Sequence, residues 1–269
     1  MEYRSRAMTL SSKDSTFVAQ PSPNGLAGPE VKVRELQDEA IGTQVFPASR
    51  VLLSWLTSAS AAAPLLRGKT VLELGSGCGA LAMGLVAYGG VSRVFASEGD
   101  PDVYDNLCAN VVFNDVSSSV IPCVWDWEAS SAPPPEVDLD SVDMIIASDV
   151  VYLGTGECRL SHALAGLCRP RVAGAVGKKA WLLLADRPKG GEEFLPAPML
   201  DEGVDPTCDS QQQKLSAVGR FLHACSRREL IVDEIAIEPT LIEAATEGAK
   251  FSGRCENDGR LSLYCIHSM

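Results

Sequence analysis

The spacing that builds metal sites is missing from this sequence. Nine cysteines are present (Cys78, Cys108, Cys123, Cys158, Cys168, Cys208, Cys225, Cys255, Cys265), an odd number, and no two stand as CxxC. Only three histidines occur, His162, His223 and His267. This pattern argues against both a zinc centre with paired spacing and a disulfide framework. The thiols read instead as free and mostly buried, in a reducing compartment. Long apolar runs are missing too: none reaches the roughly 18 residues that a membrane span needs. The opening stretch MEYRSRAMTLSSKDSTF mixes charges with hydroxyls and has no signal-peptide core. A soluble, cytoplasmic protein is expected, with the nucleus as a second location. Positive charge is in deficit, with 23 Lys+Arg against 35 Asp+Glu and a net charge of −12. That field repels phosphate backbones, so nucleic acid is not an expected partner. It would steer a basic protein segment inward.

What is present is an ordinary globular balance. The chain has 269 residues, of which 46% are hydrophobic and 22% charged. That excludes a wholly disordered chain, a collagen-like repeat and a long coiled coil. Residues 1–30 read as a disordered tail, because PSPNGLAGPE carries three prolines and two glycines with nothing periodic around them. A single domain is expected over 31–269. Pro47–Leu56 reads as a helix, with Val51, Leu52, Trp55 and Leu56 on one face.

A regular alternation follows. Strands are expected at Thr70–Leu74, Arg93–Ser97, Val120–Val124, Val142–Ser148 and Ala180–Ala185. Helices are expected at Ala80–Tyr88, Pro101–Asn110 and Leu160–Cys168, with Asp100 as the cap of the second. Phe194–Gln213 reads as an acidic loop, and Ser216–Glu229 as a helix. Leu230–Glu238 and Leu261–Ile266 read as closing strands with no convincing helix between them. The expected fold is α/β: a doubly wound, mainly parallel, Rossmann-like sheet of seven strands with one antiparallel strand in a terminal hairpin.

The strongest local signal is Val71-Leu72-Glu73-Leu74-Gly75-Ser76-Gly77-Cys78-Gly79-Ala80, placed between a strand and a helix. Gly75 allows a tight turn, Gly77 a close backbone approach to a ligand, and Gly79 close helix packing. The helix N-terminus adds N–H groups and partial positive charge. Two ligands compete for such a loop. GSGCGA also satisfies the dinucleotide fingerprint, and a pyrophosphate suits a positive helix end. Glu73, two residues before the first glycine, would present an anion to the same crevice, which suits S-adenosyl-L-methionine with its ammonium and sulfonium. Glu98 stands 23 residues after Gly75, near the spacing of about 20 at which an acid holds ribose hydroxyls. Asp126 and Trp127, after the third strand, offer an adenine one polar contact and an apolar wall. The fourth strand ends in Ala147-Ser148-Asp149-Val150-Val151-Tyr152, at the carboxyl edge where open sheets bind ligands. There Asp149 can orient an amine and favour the positive charge it develops, and Tyr152 adds an aromatic wall and a hydroxyl.

From about Gly42 to Arg187 the sequence resembles the eukaryotic seven-β-strand protein-lysine methyltransferases related to the methyltransferase-like 21 group and the calmodulin-lysine methyltransferases. The resemblance is carried by VLELGSGCGALAMGLVAYGG, VFASEGDPDVYDNLCANV, WDW and ASDVVY. Gly42-Thr43-Gln44-Val45-Phe46-Pro47-Ala48-Ser49 is similar to the family's G-x-x-W-P-A-A-like segment beside the donor, with Phe46 at the usual tryptophan. Glu98 stands where the family usually has Asp. The resemblance implies donor contacts from Phe46, Glu73, Gly75, Gly77, Glu98 and Trp127, and Ser76, Asp126 and Ser148 are expected beside them. It implies catalytic roles for Asp149 and Tyr152, in the family's D-x-x-Y motif. The implied cofactor is S-adenosyl-L-methionine, with no metal, and the implied partner is a basic or lysine-bearing protein met by a monomer. A histidine, arginine or small-molecule acceptor and a non-catalytic donor-binding scaffold remain alternatives. A nicotinamide-dependent reductase lacks its Tyr-x-x-x-Lys pair here.

Overall fold

The computed structural model describes residues 12–17, 30–36, 42–58, 63–127, 129–151, 157–171, 175–186, 215–246 and 260–268. The chain first makes a separate antiparallel ribbon of two strands, β1 (Ser12–Phe17) and β2 (Val31–Leu36). Six residues of the stretch expected to be a disordered tail therefore form a strand; residues 1–11 and 18–29 lie outside the described ones. Helix α1 (Pro47–Thr57) starts on Pro47, whose fixed φ suits a first turn, and buries Val51, Leu52, Trp55 and Leu56 as its apolar spacing requires. A single turn, α2 (Ala63–Leu66), leads to β3 (Thr70–Leu74).

The alternation then runs as read: α3 (Ala80–Gly89), β4 (Arg93–Glu98), α4 (Pro101–Phe113), β5 (Val120–Val124), β6 (Met144–Ser148), α5 (Glu157–Cys168) and β7 (Lys179–Asp186). Asp100 caps α4, its Oδ1 accepting from the N–H groups of Asp102 and Val103. Strand β6 starts two residues later than expected. Asp143, just before it, uses its carboxylate to accept from the Thr70 N–H at 2.8 Å and the Lys69 ammonium at 2.9 Å. The chain closes with α6 (Ala217–Ser226), β8 (Leu230–Ile235), α7 (Pro239–Thr246) and β9 (Arg260–Ser268). Helix α7 corrects the reading that the closing strands have no helix between them. Pro239 ends the run that had been read as strand and opens the helix. The acidic stretch 194–213 lies outside the described residues.

Seven strands form one sheet in the order β5-β4-β3-β6-β7-β9-β8. The first five are parallel, and β9 runs antiparallel to both neighbours. Strand β5 is an edge, and its Pro122 has no N–H to offer. One face carries a core of α1, α3 and the Leu107 side of α4; the other carries α5 and α6, with Leu160, Leu164 and Phe221 buried. From β3 the chain winds outward to β5, then returns to β6 on the other side of β3. Such a reversal opens a crevice at the carboxyl ends of the two central strands.

Candidate functional site

Leu74 and Ala147 are register partners, so β3 and β6 end side by side. Beyond Leu74 the backbone enters the left-handed region three times, at Gly75 (φ 64°), Gly77 (φ 55°) and Gly79 (φ 83°). Glycine adopts these angles without the penalty a Cβ brings. The space left by each missing Cβ is used. A Cβ at Gly75 would lie 2.8 Å from Val150 Cγ1 and 3.1 Å from the Trp127 ring. One at Gly79 would lie 2.5 Å from Leu107 Cδ1, so this glycine lets α4 pack on the loop. One at Gly77 would lie 2.8 Å from the Gly42 carbonyl oxygen. The close backbone approach at Gly77 is therefore made by the protein's own chain. The loop is pinned by three bonds: Ser76 N–H to the Ser97 carbonyl at 2.8 Å, Gly79 N–H to the Ser76 carbonyl at 2.9 Å, and Gly77 N–H to Glu98 Oε2 at 2.9 Å. Helix α3 begins on Gly79 without a side-chain cap or a first-turn acid, so its positive end faces the loop.

Two carboxyl groups flank this turn. Glu73 is 1% exposed. Burial raises its pKa to about 8; the nearby Ser76 side chain and Ala82 amide only partly offset this, and the Glu98 charge adds to it. The Ser76 side chain is near enough to act on the carboxyl, but Glu73 Oε2 and the Ser76 hydroxyl are both buried with no partner in hydrogen-bond geometry. Burial thus favours the neutral acid in the ligand-free protein, against the sequence expectation of a standing anion in the crevice. Glu98 ends β4, half-buried. Its Oε2 accepts from Gly77, and its Oε1 from the N–H groups of Gly99 at 2.9 Å and Asp100 at 3.2 Å. Burial raises its pKa too, against these bonds. A carboxylate has about four acceptor positions, so three backbone bonds leave little to spare for a ribose.

The rest of the rim assembles around that turn. Trp127 is half-buried with its ring over Gly75. Trp125 belongs to the core, and its indole N–H donates to the Ser130 carbonyl at 2.9 Å. Asp126 is exposed; its Cα would lie 3.2 Å from a Cβ at Gly99, and its Oδ1 accepts from the Ala129 N–H at 3.3 Å. Phe46 is the half-buried residue before α1, its carbonyl accepting from the Ser49 N–H and hydroxyl. Ser148 and Asp149 are half-buried at the end of β6. Asp149 sits at φ 54° while its N–H donates to the Leu183 carbonyl at 2.8 Å. A left-handed aspartate costs about 1 kcal/mol. Tyr152 lies outside the described residues. Asn110 escaped the sequence reading, as did the particular contacts of Val150 and the Gly42 carbonyl, although both residues stand inside the motifs quoted above. For Asn110 a signal existed, since Asn106, Asn110 and Asn114 recur every four residues on one helix.

The family model described as lysine methyltransferase matches residues 26–184, a span that holds every candidate residue named above. The protein N-terminal and lysine N-methyltransferase efm7 of Emericella nidulans is 29% identical over 142 residues, covering 47% of this chain and 53% of that one. The protein-lysine N-methyltransferase EFM3 of Chaetomium thermophilum is 32% identical over 93 residues, covering 33% of this chain and 28% of the relative. The chain thus spans about half of the first relative's length and under a third of the second's. Among solved structures it is similar to Aeropyrum pernix fibrillarin in complex with S-adenosyl-L-methionine (TM-score 0.46, 16% identity, 82% of this chain, 76% of that one). It is also similar to the YcgJ protein of Bacillus subtilis (TM-score 0.47, 15% identity, 82% and 98%).

Proposed function

The chain belongs to the lysine methyltransferase family, and from that premise we propose that it transfers a methyl group from S-adenosyl-L-methionine to a lysine side chain of a protein. The observation that carries the reading is the family match over 26–184, which contains the whole glycine turn and its rim. The residues also fit the donor physically. Glu73 Oε2 and Ser76 Oγ are buried polar atoms that lack a partner within the protein, and an ammonium would supply one. The turn formed by Gly75, Ser76 and Gly77, with Phe46, Asp126, Trp127 and Ser148 around it, is assigned to hold the donor, and Glu98 is assigned to it chiefly as the clamp on the Gly77 N–H. When bound, the donor supplies an electrophilic methyl on a positively charged sulfur.

The chain's own groups then do three things. Glu73 gives up its proton from the carboxyl as an ammonium settles beside it, because a near cation favours the charged form. Trp127 and Val150 cover Gly75 and keep water from the turn. Asp149 accepts a hydrogen bond from the acceptor amine, orients its lone pair, and favours the positive charge that the amine gains. Tyr152 is proposed as the aromatic wall of the acceptor channel. A basic protein substrate suits the net charge of −12, and a monomer in the cytoplasm and nucleus is proposed with it. The buried thiols Cys78, Cys123, Cys168 and Cys265, outside any disulfide, support a reducing compartment.

Isothermal calorimetry with S-adenosylhomocysteine against NADH tests the donor; tight NADH binding would end the reading. Mass spectrometry of lysate proteins labelled by the enzyme identifies the acceptor atom. Lysine is expected; the α-amine of a protein N-terminus, histidine and arginine are the outcomes that would correct it. Asp149→Ala is expected to cut turnover by about a hundredfold or more while S-adenosylhomocysteine affinity stays near wild type. Equal loss of both would make Asp149 a donor or folding residue.

A further inference from the structure

We propose that Asn110 is a positioning residue for the donor: its side-chain amide joins β2 to the glycine turn and so sets the height of the Gly42 carbonyl over Gly77. The inference rests on the donor site proposed above. In an antiparallel ribbon, alternate residues turn their N–H and C=O toward the partner strand and the others turn away. Lys32 and Arg34 of β2 turn away from β1. A third strand would normally meet them; here the asparagines of α4 do, because residues four apart share one helix face.

Asn114 Oδ1 accepts from the Lys32 N–H at 2.9 Å, and its Nδ2 donates to the Lys32 carbonyl at 2.7 Å. Asn110 repeats the pattern one rung on. Its Oδ1 accepts from the Arg34 N–H at 2.8 Å, and its Nδ2 donates to the Arg34 carbonyl at 3.1 Å. Asn106 donates to that same carbonyl at 3.1 Å, but its Oδ1 is buried without a partner. The three differ in what else Nδ2 reaches: that of Asn110 also donates to the Cys78 carbonyl, inside the glycine turn, at 2.9 Å, whereas that of Asn114 goes on to Met83 Sδ at 3.3 Å and the Asn110 carbonyl at 2.8 Å. Asn110 is 1% exposed, so a group left behind by its removal would be left unsatisfied away from water.

From Arg34 the ties lead directly to Gly42. Leu36 N–H donates to the Thr43 carbonyl, and the Thr43 hydroxyl donates to the Leu36 carbonyl, both at 3.2 Å. Val45 N–H donates to Glu35 Oε1 at 2.7 Å. Strand β2 thus carries residues 42–46, and the carbonyl of Gly42 rests on Gly77. One buried amide holds both the cover and the turn beneath it. The ribbon has a second function in this arrangement: it sets the roof of the donor site from a separate, two-stranded piece of the fold.

The full chain tests this with S-adenosylhomocysteine as probe. Asn110→Ala is expected to weaken its affinity by about ten- to a hundredfold, as misplacement of a binding element does. Asn114→Ala removes the neighbouring rung and the bonds to Met83 Sδ and the Asn110 carbonyl but none to residues 75–79; it is expected to lower the thermal midpoint while keeping affinity near wild type. Wild-type affinity in Asn110→Ala, or equal affinity losses in the two variants, would overturn the proposal. If Asn110→Ala does not fold, amide exchange of the wild-type protein decides. Coupling is reciprocal, so the probe should slow exchange at Arg34 and Val45; unchanged rates there would overturn it. Failure of the wild type to bind the probe would remove the donor reading and this proposal together. Binding by wild type and variant alike would remove this proposal alone.

Discussion

The two sides of the glycine turn treat a carboxyl group in opposite ways. Beneath the turn, Glu73 is sealed in, has an orphaned oxygen, and burial pushes its pKa up to about 8. At the rim, Glu98 is half-exposed and spends its oxygens on three backbone N–H groups. Both are acids at the ends of adjacent parallel strands, yet one is a poised charge and the other a clamp. Position relative to the backbone donors makes the difference. Glu98 meets the N–H groups of the turn, whereas Glu73 lies where burial dominates.

The largest expected effect comes from breaking the turn that separates them. Gly77→Val puts a β-branched residue at φ 55° against the Gly42 carbonyl. S-adenosylhomocysteine affinity should fall by more than about a hundredfold in calorimetry. Gly77→Val binding at wild-type strength would mean that the roof does not bear on the donor. Next is the clamp. Glu98→Gln turns an NH2 group toward backbone donors on one side or the other, whichever way the amide is placed. A loss of about 1–3 kcal/mol in denaturant unfolding is expected, and no loss would make the three bonds incidental.

The third prediction sharpens the contrast through pH. Glu73 has a folded pKa raised above its unfolded value, from 4.5 to about 8. Between those values the folded protein holds the proton and the unfolded chain releases it, so stability falls as pH rises through this window. Glu98 shifts in the same direction. Glu73→Gln should flatten most of the slope and be more stable than wild type at pH 8 by on the order of 1–3 kcal/mol. Urea midpoints from pH 5 to 8 check this; a slope unchanged in Glu73→Gln would assign it elsewhere. The smallest effect is a fraction of one proton released on S-adenosylhomocysteine binding near pH 7, read by calorimetry in buffers of different ionisation heat. Glu73→Gln should abolish it.

Much of this site could be read from local sequence, because a strand, three spaced glycines and an acid at the next strand's end are one continuous device. The positions of Glu73, Glu98, Trp127 and Asp149 at the carboxyl edge follow from it. The protonation state of Glu73 does not, since burial is a property of the whole packed turn. Strand β1 was illegible for a related reason: Ser12-Lys13-Asp14-Ser15 has low strand propensity and forms by adding to the edge of β2. The asparagines of α4 look like a solvated polar stripe until a strand more than 70 positions earlier is seen docked on them. The segment that opens on Gly42 was legible as a donor-side motif, but its seat against Gly77 was not, because the two are remote in sequence.

Edge strand β5 carries one more consequence. The Ile121 side of its backbone faces β4, since the flanking bonds run from Val94 N–H to the Ser119 carbonyl and from Trp125 N–H to the Glu98 carbonyl. Pro122 therefore turns its nitrogen outward. An incoming chain that tried to extend the sheet there would find a gap in the row of donors, flanked by a ring that holds it off. Among the described residues no further strand covers this flank, and the gap counters fibre growth there, on the side of the sheet next to the strand that carries Glu98.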